Sequence, residues 1–355
     1  MAKSITLKEV AARAGVSQPL ASKVLNGKEC RLSEEKRKRI LDVARECGYR
    51  TKASSVVPFP SDGIPTLAFL QANLEYGFFY KLADEVSREA YRRGYRMLLF
   101  NTNEDPVEER RCLQYCVDHK VDGILVNPCD NQENLDMFDS IEAAGIPLVF
   151  IDRGIYGRDC PFITSDNENA AYRLTEALIQ RGHEDILFLF HGEVLYTSVT
   201  KERYDGYASA MKANNLHPVK ELIFSRRPIE YQPIADLDRY SAIVLSTSAD
   251  IYKLQEIMAR TDSEGFQWEV GVFDDLSVPY DQLLLGSLFK YINPDVVVME
   301  QNIKEIARQA LSTLDNALKN GEKQTKTSMV PCKIRNLAES HPAIAGHDYH
   351  PFSSD

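Results

Sequence analysis

Residues 5–50, ITLKEVAARAGVSQPLASKVLNGKECRLSEEKRKRILDVARECGYR, hold a complete miniature fold and most of the chain's surplus positive charge. Three short helices follow from the spacing. Thr6-Leu7-Lys8-Glu9 has the Thr-x-x-Glu pattern in which side chains and amides at a helix start satisfy one another, and Leu7, Val10 and Ala14 recur on one face before Gly15. Ser17 is a good N-cap, and Pro19 falls in the first turn, where a missing amide hydrogen costs little. Leu20, Ala21, Val24 and Leu25 form the buried side of this second helix, and Asn26-Gly27 stops it. Ser33, with Glu34 and Glu35 at the positive helix end, opens a third helix through Ile40, Val43, Ala44 and Cys47 to Gly48. Two helices joined by a tight glycine-containing turn, with a third behind, make a helix-turn-helix, whose second helix lies in the DNA major groove.

Charge separates this segment from helical hairpins that never meet nucleic acid. Residues 1–60 carry 13 Lys and Arg against 6 Asp and Glu, a surplus of +7; the whole chain is −10, which leaves −17 for residues 61–355. A basic module on an acidic body implies phosphate contact for the first and ordinary solubility for the second.

TLKEVAARAGVSQPLASKVLNG followed by RLSEEKRKRILDVARECGYR resembles the N-terminal domain of the lactose-repressor (LacI/GalR) family of bacterial transcription regulators. The resemblance implies that Gln18, Pro19 and Lys23 stand where the family places base-contacting side chains. It also implies that Thr6, Ser17, Ser22, Asn26, Ser33 and Tyr49 touch phosphate or frame the docking surface. Lys23 replaces the family's usual Arg and lacks its two-pronged fork, so discrimination there is expected to be weaker. Leu20 replaces a frequent Thr and is read as core packing.

The linker, residues 51–63, departs from the family pattern. Relatives carry a short hinge helix that folds on DNA and wedges a Leu into the minor groove. Here Pro58 stands at the wedge position, and Pro58-Phe59-Pro60 cannot continue a helix. Either a shorter hinge uses Val57 or Phe59, or the operator is bent less.

From residue 64 the pattern alternates between short apolar runs and amphipathic helices. TLAFLQA, RMLLFNT, GILVNP and PLVFID form one series; ILFLFH, ELIFS, AIVLST and EVGVFDD form a second. Such alternation implies two parallel sheets covered by helices, hence two lobes. DVVVMEQ (Asp295 to Gln301) and the helix after it look spare for the second lobe and are expected to complete the first. The expectation is thus an all-α helix-turn-helix DNA-binding domain (1–50), a linker, and an α/β two-lobed periplasmic-binding-protein-like effector domain (64–340), with an irregular tail (341–355). The first lobe is placed at about 64–161 and 293–322, the second at about 162–292 and 323–340.

Ligands of open parallel sheets sit beyond the carboxyl ends of the strands, which for two facing lobes is the cleft between them. KVDGILV, GIPLVFIDR, SDNENAAYRLTEALIQRGHEDI, RYDGY and GVFDD resemble the family's sugar-binding body. By that resemblance Phe78 and Phe79 sandwich a sugar ring, and Asp152, Arg153, Arg203, Asp274 and Gln301 are polar effector contacts. Carboxylates and guanidinium groups bracket vicinal hydroxyls while aromatic faces meet ring C–H groups. The two arginines point to an anionic or phosphorylated sugar. Tyr76-Gly77, Ala249-Asp250 and Asn293-Pro294-Asp295-Val296 depart from family loops, so the effector is not named by resemblance; Trp268 is either packing or cleft wall.

The remaining features narrow the class. No apolar run reaches the roughly 18 residues of a membrane span, and residues 1–20 hold no secretory core, so a cytoplasmic protein is expected. Seven cysteines without scaffold spacing agree. Cys112, Cys116 and His119 share a helix face but lack a fourth ligand, and are read as packing; no metal or cofactor is expected. No G-x-G-x-x-G, phosphate loop or Ser-His-Asp set supports an enzyme. The expected partners are a near-palindromic duplex, a sugar or sugar-acid effector and a second copy of the chain, because one reading helix covers only a half-site.

Overall fold

The structure, a computed structural model, describes residues 6–25, 30, 32–47, 63–129, 133–155, 157–191, 197–224, 239–251, 254, 267–274, 276, 292–293, 295–321 and 326–337. The chain divides into two compact units, Met1–Asp62 and Gly63–Asp355. Asn26, Tyr49, Val57, Phe59 and the tail lie outside the described residues.

In the first unit α1 (Leu7–Ala14), α2 (Gln18–Leu25) and α3 (Glu34–Glu46) are each too short to be stable alone. They are held by a shared core in which Val10, Ala21 and Ile40 are fully buried, with Ala11, Ala14 and Val24 around them. The capping box forms at the start of α1: the Thr6 amide donates to Glu9 Oε2 at 2.7 Å, and the Glu9 amide donates to Thr6 Oγ1 at 3.4 Å. Gly15 ends α1 at φ 69°, a left-handed conformation that turns the chain toward α2 at little steric cost. Leu20, read as core packing, is only half-buried and lies outside the residues that pack on this core.

Among the described residues the second unit forms two six-stranded sheets. The first joins β1 (Thr66–Gln71), β2 (Arg96–Asn101), β3 (Gly123–Val126), β4 (Leu148–Ile151), β5 (Phe162–Ser165) and β11 (Thr327–Val330) in the order β11-β5-β4-β3-β1-β2, all parallel. The second joins β6 (Ile186–His191), β7 (Val219–Phe224), β8 (Ala242–Leu245), β9 (Glu269–Phe273), β10 (Val297–Glu300) and β12 (Lys333–Asn336) in the order β12-β10-β9-β8-β6-β7. Only β12 runs antiparallel there. Strands β1, β3 and β4 are buried at every residue, as a sheet covered on both faces requires.

Helices α4 (Gly77–Arg92), α5 (Pro106–His119), α6 (Leu135–Ala143) and α9 (Ile303–Asn320) serve the first lobe; α7 (Asn167–Gln180) and α8 (Ser198–Ala213) serve the second. Phe69, Leu82, Val86, Ile306, Leu311 and Leu314 meet in the first core, where α4 and α9 cover β1 and its neighbours. Helices α7 and α8 approach so closely that a Cβ on Gly206 would sit 2.0 Å from the Glu168 carbonyl oxygen. Cys112 and Cys116 are buried on α5, and His119 stacks on Tyr115 at 3.8 Å between centroids.

Three strands fall elsewhere than the hydropathy pattern suggested. The strand within DVVVMEQ, β10, pairs with β9 in the second sheet, not the first. β5, placed with the second lobe, pairs with β4 in the first sheet, and β11 pairs with β5 there too. An apolar run reports that a strand is buried, not which neighbour receives it. The chain therefore crosses between lobes after Ser165, after Glu300 and after Val330.

Candidate effector site and DNA-reading face

Strand order reverses around β1 in one sheet and β6 in the other, and the polar residues of the second unit gather at the carboxyl ends of the strands. Gln71, Asn127, Asp152, Ser165, Ser246, Asp274 and Gln301 each end or follow a strand, and each is buried. Asp152 (φ 66°) and Asp274 (φ 81°) turn out of their strands through left-handed backbone, a strain of about 1–2 kcal/mol for a residue with a Cβ. The surrounding hydrogen bonds hold it.

On the first-lobe side these bonds form a chain. Gln71 Nε2 donates to the Phe79 carbonyl at 3.2 Å, while Gln71 Oε1 accepts from the Ala72 amide at 3.1 Å and from Asn127 Nδ2 at 2.8 Å. Asn127 Nδ2 also donates to Asp152 Oδ2 at 3.2 Å. Burial pushes the Asp152 carboxyl up to about 6, against the pull of Arg153 and Arg203. Arg153 forks onto Glu104 at 3.1 and 3.3 Å and lies 5.3 Å over the Phe79 ring.

On the second-lobe side Asp274 accepts from the Ser248 amide at 2.9 Å, from Ser248 Oγ at 3.1 Å and from Gln301 Nε2 at 2.6 Å. Arg203 donates from Nε to Asn167 Oδ1 at 2.9 Å and from Nη1 to the Ser246 carbonyl at 2.6 Å, with its guanidinium 4.0 Å over Phe273. Bonds that join the lobes among the described residues include Ser165 Oγ to Gln301 Oε1 at 2.5 Å, the Gly154 amide to Ser198 Oγ at 3.1 Å and Asn167 Nδ2 to Thr164 Oγ1 at 3.3 Å.

Asp152, Arg153, Arg203, Asp274 and Gln301 thus belong to one connected edge. The phenylalanines behave differently. Phe78 packs into the first-lobe core and meets Phe79 edge to face, centroids 5.6 Å apart and 66° between planes, which is not the geometry of two faces clamping a ring. Both arginines are also engaged within the protein, Arg153 by the Glu104 carboxylate and Arg203 by two neutral acceptors. Gln71, Asn127, Ser165, Asn167, Ser246 and Ser248 were not singled out in the sequence. The position of Gln71, Asn127, Ser165 and Ser246 at the ends of apolar runs was the available signal.

In the first unit, Thr6, Ser17, Gln18, Pro19, Lys23 and Ser33 are exposed and Ser22 is half-buried. Ala21 and Val24 face the core between them. Gln18, Pro19 and Lys23 of α2 are therefore open to solvent.

The profile described as "Bacterial regulatory proteins, lacI family" matches residues 6–52, and that for "Periplasmic binding proteins and sugar binding domain of LacI family" matches residues 65–224. The chain belongs to the LacI family. A periplasmic binding protein-like profile covers residues 175–336. Among LacI-family relatives, the NTD biosynthesis operon regulator NtdR of Bacillus subtilis is 28% identical over 93% of this chain and 98% of its own. The HTH-type transcriptional repressor PurR of Actinobacillus pleuropneumoniae is 25% identical over 96% of each. The fold is shared with Cra of Pseudomonas putida in complex with fructose 1-phosphate (TM-score 0.65, 20% identity, 76% of this chain and 98% of that one). It is shared too with the lac repressor dimer bound to operator (TM-score 0.57, 16% identity, 94% and 98%). LacI-family members are DNA-binding regulators, and no described helix here is long and apolar enough to cross a membrane.

Proposed function

We propose that this LacI-family regulator is a cytoplasmic, homodimeric repressor that reads a near-palindromic operator through α2 and answers to a sugar or sugar derivative held between the lobes of its second unit. The observation that carries the effector half is the cross-lobe edge: buried polar groups of both sheets are bonded to one another, so a molecule bridging them acts on the lobe arrangement. Such a ligand shifts DNA binding only by the difference in its affinity for the two arrangements. The carboxylate of Asp274, with both oxygens already accepting hydrogen bonds, suits binding better than proton transfer. The sugar class is supported by relatives such as Cra with fructose 1-phosphate. On the reading face, Gln18, Pro19 and Lys23 contact bases, and Thr6, Ser17, Ser22 and Ser33 position the backbone.

Selection of duplexes from a random pool by the full chain, with and without a sugar panel, tests this. A near-palindromic winner whose binding falls steeply with salt, and changes with one sugar, is the expected result. Binding without sequence preference over competitor polyanions would sink it.

A further inference from the structure

The effector edge carries more acid than base among the described residues. Against Arg153 and Arg203 stand Asp152, Asp274 and Glu104, with Glu202 accepting from Asn167 at 3.1 Å beside Arg203. Arg153 has spent both terminal nitrogens on Glu104, and Arg203 has spent Nε and one terminal nitrogen on Asn167 and Ser246. Both guanidiniums are thus already engaged by the protein, and the acids outnumber them.

An independent observation concerns orientation. The Phe79 carbonyl and the Ala72 amide fix which end of the Gln71 amide is which, because one can only accept and the other only donate. Gln71 Oε1 therefore faces Asn127, and Asn127 must turn its NH₂ toward Gln71 Oε1 and Asp152 Oδ2. Its own Oδ1 is left buried with no donor, in a residue that is 0% exposed. A buried acceptor without a donor is costly, so this atom marks where a donor belongs. Asp152 accepts, among the described side chains, only from Asn127 and only at Oδ2.

We infer that the effector presents a protonated amine to the Asn127 and Asp152 oxygens, so that its class is a polyol bearing an ammonium group, as in an amino sugar, and not a sugar acid or sugar phosphate. The inference rests on the cleft reading above. An ammonium brings three donors, no acceptor and a positive charge, matching an edge that is acceptor-rich and net acidic; a hydroxyl brings one donor and no charge, and a phosphate brings acceptors to acceptors.

Calorimetry on the full chain with glucosamine, galactosamine and mannosamine, their parent hexoses, their N-acetyl derivatives and the hexose 6-phosphates tests it. N-acetylation removes the charge in unchanged protein, so that comparison does not depend on a variant folding. At least one amine should bind tenfold or more tightly than both its parent and its N-acetyl form, with no binding by the phosphates. In Asp152→Asn the advantage of amine over parent should fall to parity. Equal binding of amine and parent, or tighter binding of a phosphate, overturns the ammonium class and leaves the cleft reading standing. No binding by any of the four sets overturns both.

Discussion

Ser165 Oγ donates to Gln301 Oε1 across 2.5 Å, and these two residues stand at two of the places where the chain passes from one lobe to the other. The same Gln301 amide holds Asp274 through its nitrogen, so a bond at the crossover is continuous with a bond at the proposed effector edge. Ser165→Ala leaves a buried acceptor unpaired, at a cost of about 1–3 kcal/mol that falls on the Gln301–Asp274 pair. We expect effector affinity to fall about tenfold while operator affinity without effector stays within about twofold, since no reading-face residue is touched. Titrations of the variant with effector and operator check both; unchanged effector affinity would disprove the link.

Asp152 gives the fold a defined pH response. Its carboxyl is raised from 3.8 to about 6 in the folded chain, by burial above all. The folded state then holds a proton that the unfolded state releases, so this group's contribution is most favourable below about pH 4 and is lost as pH rises through about 6. The difference corresponds to about 3 kcal/mol. Urea unfolding of Asp152→Asn against the native chain should show the variant gaining about that much in relative stability between pH 4 and pH 7. Parallel pH profiles would contradict the assignment.

Gly206 and Gly123 make a matched pair. A Cβ at Gly206 meets backbone, the Glu168 carbonyl at 2.0 Å, whereas at Gly123 it meets the Leu314 side chain at 3.0–3.2 Å, which can turn away. Gly206→Ala should cost about 3 kcal/mol or more, Gly123→Ala about 1 kcal/mol. Thermal melts of the two would decide, and similar losses would refute the distinction.

Lys23 is exposed on α2 and lacks the planar fork of arginine. Lys23→Arg should sharpen the preference for guanine at one position of each half-site by about 1–3 kcal/mol, leaving the other positions unchanged. Repeating the duplex selection with the variant measures it, and an unaltered preference would show that this side chain does not read a base.

The two kinds of element differed in how openly the sequence declared them. Thr6 and Glu9 bond to each other because local spacing alone decides a capping box, and β1, β3 and β4 are legible because burial on both faces leaves uninterrupted apolar runs. Strands β11 and β12, at the sheet edges, interleave exposed residues with half-buried ones, and of the two only β11 has a buried residue, Val330, so they give no such run. Val297–Glu300 reads the same whichever sheet receives it. At the proposed effector edge, Asp152 and Asp274 stood out by position after a strand. The polarity of the Gln71 and Asn127 amides did not, because it is set by the Phe79 carbonyl and Ala72 amide rather than by composition.

The placement of β11 and β12 has a bearing on synthesis. Each is an edge of a different sheet and both come from Thr327–Asn336, so neither sheet is complete until that segment has been made. The three helices between residues 6 and 47 share a core of their own, in a unit made ahead of both sheets. A nascent polypeptide would possess its DNA reader well before the device that governs it, and a message truncated ahead of Thr327 would yield a reader with no working control.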